Sequence, residues 1–149
     1  FDGVMDTAYY DMVLVSKGLQ EVDEYGVLFD PACVRNLETI IRKTKADIVV
    51  TSSWKYLMSY EEFLEMWNAR NLPGFITDTT PNISNHRGDE IDAWIRECKT
   101  ECEYVIIDDL DANNFNEHHL PHLITVNPYN GLDEIAVKQA IEILGMDVS

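Results

Sequence analysis

Tyr104-Val105-Ile106-Ile107-Asp108-Asp109-Leu110-Asp111 is a strand-sized apolar run that stops on carboxylates. Its apolar residues are continuous rather than alternating, the pattern of a strand covered on both faces. A second buried strand is expected over residues 46–51, running into Ser52-Ser53-Trp54-Lys55. Shorter ones are expected at Phe75-Ile76-Thr77 and over residues 123–126. Helical patterns alternate with them. Asp30-Pro31 reads as an N-cap followed by Pro at the first helical position. Val34, Leu37, Ile40 and Ile41 follow at helical spacing, with Arg42, Lys43 and Lys45 where cations suit the helix dipole. A helix over 59–71 opens with the capping-box pattern Ser59-Tyr60-Glu61-Glu62 and buries Phe63, Leu64 and Trp67. A helix over 88–99 carries Ile91, Trp94, Ile95 and Cys98 on one face, and Leu132, Ile135, Ala136, Ala140, Ile143 and Leu144 mark the last. Strands alternating with amphipathic helices imply parallel pairing. The expected class is α/β: one domain over residues 1–149, three layers, a mainly parallel sheet with helices on both faces. Residues 9–29 have two short apolar runs around a polar, Gly-bearing middle, which reads as a small hairpin or flap rather than a helix.

Composition narrows the function. The chain has 149 residues, of which 46% are hydrophobic and 26% charged, so it has the means for a packed core. No apolar run reaches the length of a membrane-spanning helix. The net charge of −16 repels phosphate backbones and argues against tight non-specific nucleic-acid binding. Three cysteines make no disulfide framework, so a reducing cytoplasm is the expected setting.

In an open parallel sheet the site lies where the strands end. Thr51-Ser52-Ser53 follows one strand and Asp108-Asp109 another; Asp2-Gly3 would follow a strand if one preceded it, and Arg87 stands before a helix. Hard carboxylate oxygens suit Mg2+, which keeps waters for phosphate oxygens. Hydroxyls, helix-start amides and Arg suit a phosphate dianion. The set reads as a magnesium-phosphate site.

In order, the chain shows Asp2-Gly3-Val4 with Thr7, Val49-Val50-Thr51, Arg87, and Ile107-Asp108-Asp109. This series resembles the four motifs of the haloacid dehalogenase-like (HAD) superfamily of phosphohydrolases, whose fold is Rossmann-like. Thr51-Ser52-Ser53-Trp54-Lys55, Arg87-Gly88-Asp89-Glu90-Ile91 with Trp94, and Gly131-Leu132 look like the small capless HAD domains of bacterial Swiss-Army-Knife RNA-repair proteins. The resemblance implies two-step covalent catalysis through an aspartyl-phosphate. Its nucleophilic Asp would stand two residues before Asp2, ahead of Phe1, on a strand that the given chain does not include. The roles implied here are Asp2 as acid and base, Thr51, Ser52 and Arg87 as phosphate donors, and Asp2 (through its carbonyl), Asp108 and Asp109 around Mg2+. Asp111 is a further acid at that strand end. Arg87 replaces the commoner Lys and offers a fork rather than a point charge. The expected partner is a phosphorylated substrate of open class, with a nucleic-acid terminal phosphate among the options, and residues 8–29 leave no room for a large cap.

Taken singly, each residue has a blander reading: Asp-Gly as a turn, Thr-Ser-Ser as a helix cap, Arg87 as a surface charge. His118, His119 and His122 match no closed zinc spacing. Cys98 and Cys102 read as semi-buried, Trp54 as packing, and Glu97, Glu101 and Glu103 as a solvated face. Two other functions compete. A signalling receiver domain would place its paired acids after the first strand and its cation after the last, the reverse of the order here. A non-catalytic module would bind Mg2+ and phosphate without turnover.

Overall fold

Side-chain caps start most of the helices in the computed structural model, which describes residues 1, 3–98 and 103–145. Thr7 accepts from Tyr10 N and starts α1 (Ala8–Ser16). Asp30 accepts from Ala32 N, with Pro31 next, and starts α2 (Pro31–Thr44), which ends on Lys45 in the left-handed region. Ser59 and Glu62 exchange 3.2 Å bonds in a complete capping box and start α3 (Tyr60–Ala69). Helix α4 (Arg87–Glu97) has no side-chain cap, but Asp89 and Glu90 supply negative charge to its first turn. Asp133 caps α5 (Glu134–Leu144).

Among the described residues, six short strands complete the fold. β1 (Val22–Asp23) and β2 (Gly26–Val27) form an antiparallel hairpin. β3 (Ile48–Val50) runs parallel to β4 (Ile76–Thr79), with Val49 opposite Asp78 and Val50 opposite Thr79. β5 (Ile106–Asp108) runs parallel to β6 (Leu123–Thr125), with Asp108 opposite Thr125. A parallel pair needs a crossover. Helix α3 serves the first pair, and two 3-10 turns, Ala112–Asn114 and Glu117–His122, serve the second. The result is a small α/β domain of mixed helices and parallel strand pairs. The expected single sheet is not continuous: among the described residues the two parallel pairs share no ladder hydrogen bonds.

Three local expectations are corrected. Residues 9–29 do contain a helix, α1, ahead of the expected hairpin. Only Leu14 of α1 is buried, so its apolar residues do not gather on one face and no helical period stands out. In α3, Leu64 faces outward and Met66 takes the buried position, packed with Phe63 and Trp67. In α5, Ile135 is exposed while Ala136, Val137 and Ala140 form the inner face. Positions 99, 101 and 102, which belong to the expected helix, the acidic face and the cysteine pair in turn, lie outside the described residues.

The main core joins α2, α3 and α5 around Val50, Ile76 and Ile124. The Phe1 ring enters it, 5.3 Å from both Phe29 and Trp54, so Trp54 is a packing residue as read. Cys33 is fully buried, and burial, aided by the Asp30 charge, pushes its thiol up to about 12, which makes it inert. The start of the chain is stitched to this core: Leu132 N donates to Val4 O, Asp30 N to Met5 O, and Thr7 Oγ1 to Asp30 Oδ2 at 2.8 Å. Gly131 sits at φ +63°, and a Cβ there would collide with the Val4 carbonyl.

Candidate active site

The C-terminal end of β5 brings two acids into the protein. Asp108 is 4% exposed. Its Oδ1 accepts from Leu110 N at 3.1 Å, which turns the chain out of the strand, and its Oδ2 accepts from Arg87 Nη1 at 2.5 Å. Arg87 is the first residue of α4, one position further into the helix than expected, and that start aims it across to β5. Asp109 lies beside Asp108 and against Gly3. Gly3 has φ +73°, and a Cβ there would strike the Asp109 carboxylate and Pro128. Burial first, and the neighbouring Asp108 carboxylate second, raise the Asp109 carboxyl above the ordinary range.

The expected pair and the expected cation therefore meet. Arg87 bonds Asp108, and Asp109 lies beside Asp108 against Gly3; two neighbouring hard carboxylates with one guanidinium are short of positive charge, and this donor set fits a divalent cation. Asp2 lies outside the described residues; Gly3 lies against the Asp109 carboxylate. Asp111 is exposed and caps the following 3-10 turn by accepting from Asn113 N. We expect Gly3→Ala to add about 1–2 kcal/mol of backbone strain and to displace Asp109. Urea denaturation together with a divalent-cation titration reads both effects.

Thr51 and Ser52 follow β3. Thr51 is half-buried and its hydroxyl makes no hydrogen bond within the described residues, so it is available to a ligand. No hydrogen bond joins it to Asp108 or Arg87. Ser52 is buried and accepts from Trp54 N, which realises the helix-cap reading. Ser53, one residue on, lines a cavity of about 520 Å³ together with Arg87.

A buried ion pair at that cavity, which Glu90 lines, is not evident from the sequence. Lys55 Nζ lies 2.9 Å from Glu90 Oε1, each side chain 2% exposed. Tyr56 and Ile83 N also donate to Glu90. Burial pushes the Glu90 carboxyl up, but Lys55, Ile83 N and Tyr56 outweigh it and hold it below the ordinary range. The available signal was positional: Glu90 is one helical turn after Arg87 and beside buried Ile91, so it faces inward.

The histidines separate. His122 stacks on Tyr104 at 4.1 Å and bonds its carbonyl. His118, His119 and Asp92 have ligand atoms within 4.8 Å of one another, close enough to share an ion. However, Asn116 N donates to His119 Nδ1 at 3.1 Å, so the ring proton sits on Nε2 and goes to Asp92 Oδ1 at 2.7 Å. A metal at Nε2 would have to displace that proton. Burial pushes the Asp92 carboxyl up, while His118, Asn116 and His119 together hold it low. As it stands, the cluster is a hydrogen-bonded clamp between α4 and the second 3-10 turn.

A parallel strand ending in paired Asp, a helix-start Arg bonded to the first of them, and a glycine turn against the second together define a HAD-like α/β domain. The chain belongs to the family of HAD domains in Swiss Army Knife RNA repair proteins, whose model matches residues 1–137. No curated protein and no solved structure matches it. Membership supports a hydrolase of phosphohydrolase type. Among the described residues, no helix is long and apolar enough to cross a membrane.

Proposed function

We propose that this protein is a Mg2+-dependent phosphomonoesterase that works through an aspartyl-phosphate. The observation that carries the reading is the contact of Arg87 with Asp108 while Asp109 faces Gly3. Asp108 and Asp109 would hold Mg2+, which supplies charge neutralisation for the phosphoryl oxygens. Arg87 and the Thr51 hydroxyl would donate to those oxygens. Asp2, the acid of the Asp-Gly pair, would move the proton to and from the leaving oxygen. The attacking carboxylate is the one expected ahead of Phe1. The buried free thiol of Cys33 fits a cytoplasmic setting. The substrate is a phosphomonoester, with a nucleic-acid terminal phosphate favoured by the family's description. The charge of −16 opposes tight sequence-independent hold on a polynucleotide.

Phosphate release from an aryl phosphate by the full-length protein tests the reading. Release with Mg2+, and none after chelation, is the expected result. Mg2+ binding by calorimetry with no release from any phosphomonoester would instead favour a non-catalytic binding module. Thr51→Val should cost roughly 10²–10³ in kcat, as loss of one transition-state donor does, with the fold intact.

A further inference from the structure

Arg87 opens α4, a helix whose N-cap residue, His86, makes no side-chain capping bond. The start of α4 is held from outside instead, by Asn116, which lies between the two 3-10 turns that follow β5. The Asn116 amide Nδ2 donates to Asp92 Oδ2 at 2.7 Å and to Asp89 Oδ1 at 3.3 Å. Carboxylates only accept, so the nitrogen end of the amide faces them and the oxygen end faces His86. His86 Nε2 donates to that oxygen at 3.0 Å. The Asn116 backbone is used as well: its N donates to His119 Nδ1, and its carbonyl accepts from His119 N. One amide thus grips His86 directly before Arg87, and Asp89 and Asp92 in the turns after it.

Backbone contact is equally close. A Cβ on Gly88 would lie 2.8 Å from Asn116 N and 3.0 Å from Phe115 Cα, so the first turn of α4 rests directly on this chain. Phe115 is buried with Ile91 of α4 and Ile106 of β5. That apolar contact brings the helix to the strand but is non-directional, so by itself it does not fix the helix in register. The amide bonds are directional and do. Arg87 stands between His86 and Gly88, both held here, and reaches from that point to Asp108.

We infer that Asn116 is a positioning residue for Arg87: it sets the start of α4 so that the guanidinium meets the end of β5. An amide suits the place, because its two N–H groups meet two carboxylates and its oxygen meets one imidazole. The effect on turnover rests on the phosphohydrolase reading; the placement of Arg87 does not.

The test reads the two separately. In the full-length protein, NMR follows exchange of the Arg87 guanidinium protons with water. Asn116→Ala should speed it by about tenfold, the equivalent of one hydrogen bond, and should leave unchanged the Arg70 guanidinium, which Asp23 holds. Asn36→Ala controls for stability alone. It removes another part-buried amide bond, from Nδ2 to Leu132 O at 2.8 Å, and should not alter Arg87 exchange. His86→Ala removes only the bond to the amide oxygen; it should also speed Arg87 exchange, and it decides the question if Asn116→Ala does not fold. Phosphate release gives the second readout. Asn116→Ala should lower kcat by about 10–10²-fold, as a misplacement of about 1 Å does. In an Arg87→Ala background it should lower kcat by less than about threefold, because the two substitutions then remove the same contribution. Unchanged Arg87 exchange overturns the inference, as does an equal change at Arg70 or in Asn36→Ala, or an equal loss of kcat with and without Arg87. Faster Arg87 exchange in the variant, with no phosphate release by the native protein, overturns the phosphohydrolase reading alone. Release by the native protein, with Arg87 exchange unchanged in the variant, overturns this inference alone.

Discussion

Asp108→Asn is expected to abolish Mg2+-dependent phosphate release, with a loss of at least roughly 10²–10³ in kcat. The substitution keeps the shape of the side chain and removes its charge. Asp108 uses both oxygens, Oδ1 for Leu110 N and Oδ2 for Arg87. An amide has one acceptor oxygen, so one partner is left without its bond. If the amide oxygen keeps Leu110 N, its NH2 faces the Arg87 guanidinium, donor against donor. On the proposed reading, the Mg2+ site would also lose one of its two hard charges. A thermal melt separates these effects from misfolding. Mg2+ at about a hundred times its Kd should stabilise the native protein by about 2.7 kcal/mol, and that increment should vanish in the variant. If the variant still released phosphate with Mg2+ at the native rate, Asp108 would have no part in the chemistry.

Lys55→Met is expected to give the largest loss of stability, about 3–5 kcal/mol, because it leaves the Glu90 carboxylate buried without its cation. The penalty comes from the uncompensated charge more than from the lost attraction. Removing both partners should therefore recover most of it, and Lys55→Met with Glu90→Leu is expected to be far more stable than Lys55→Met alone. The pH dependence carries a sign. In the native protein the folded-state pKa of Glu90 is depressed, so its contribution is complete above the ordinary carboxylate range and is lost as pH falls through the depressed value. Without Lys55, burial dominates and the folded pKa rises above the ordinary one, so stability falls as pH rises. Urea midpoints should differ little near pH 4 and widely near pH 7, taking about 4.3 as the ordinary Glu value. A difference that shrank toward neutral pH would rule out an unpaired carboxylate as the cause. The loop at Ile83 should loosen as well, since its amide bonds the same Glu90.

The strand ends were legible because their signals are local. Continuous apolar runs meeting hydroxyls at Thr51 and carboxylates at Asp108 and Asp109 need no knowledge of distant residues. The caps at Asp30 and Ser59 are local too, each a side chain reaching two or three residues on. Helix α1 was missed because its cap, Thr7, is followed by a helix with one buried residue, and periodicity reports burial rather than helicity. Leu64 and Ile135 were misplaced because the helical period leaves the apolar stripe uncertain by one position. Packing resolved it in favour of Met66 and Val137. The Lys55–Glu90 pair spans 35 positions, and its members looked like ordinary charges until the fold buried them together.

What the sequence alone determined is the order of chemical groups along an α/β chain: a glycine turn, a strand ending in hydroxyls, a helix-start Arg, a strand ending in two acids. That order is a one-dimensional property, and hydrophobic period and caps suffice to place each group at the end of its element. Tertiary structure alone decided which groups face each other. Arg87 bonds Asp108 rather than Asp109; Asp109 presses on Gly3; Thr51 keeps its hydroxyl uncommitted while Ser52 becomes a cap. Hydrogen bonds and ion pairs act over about 3 Å, and only a packed backbone brings residues that are tens of positions apart within that range.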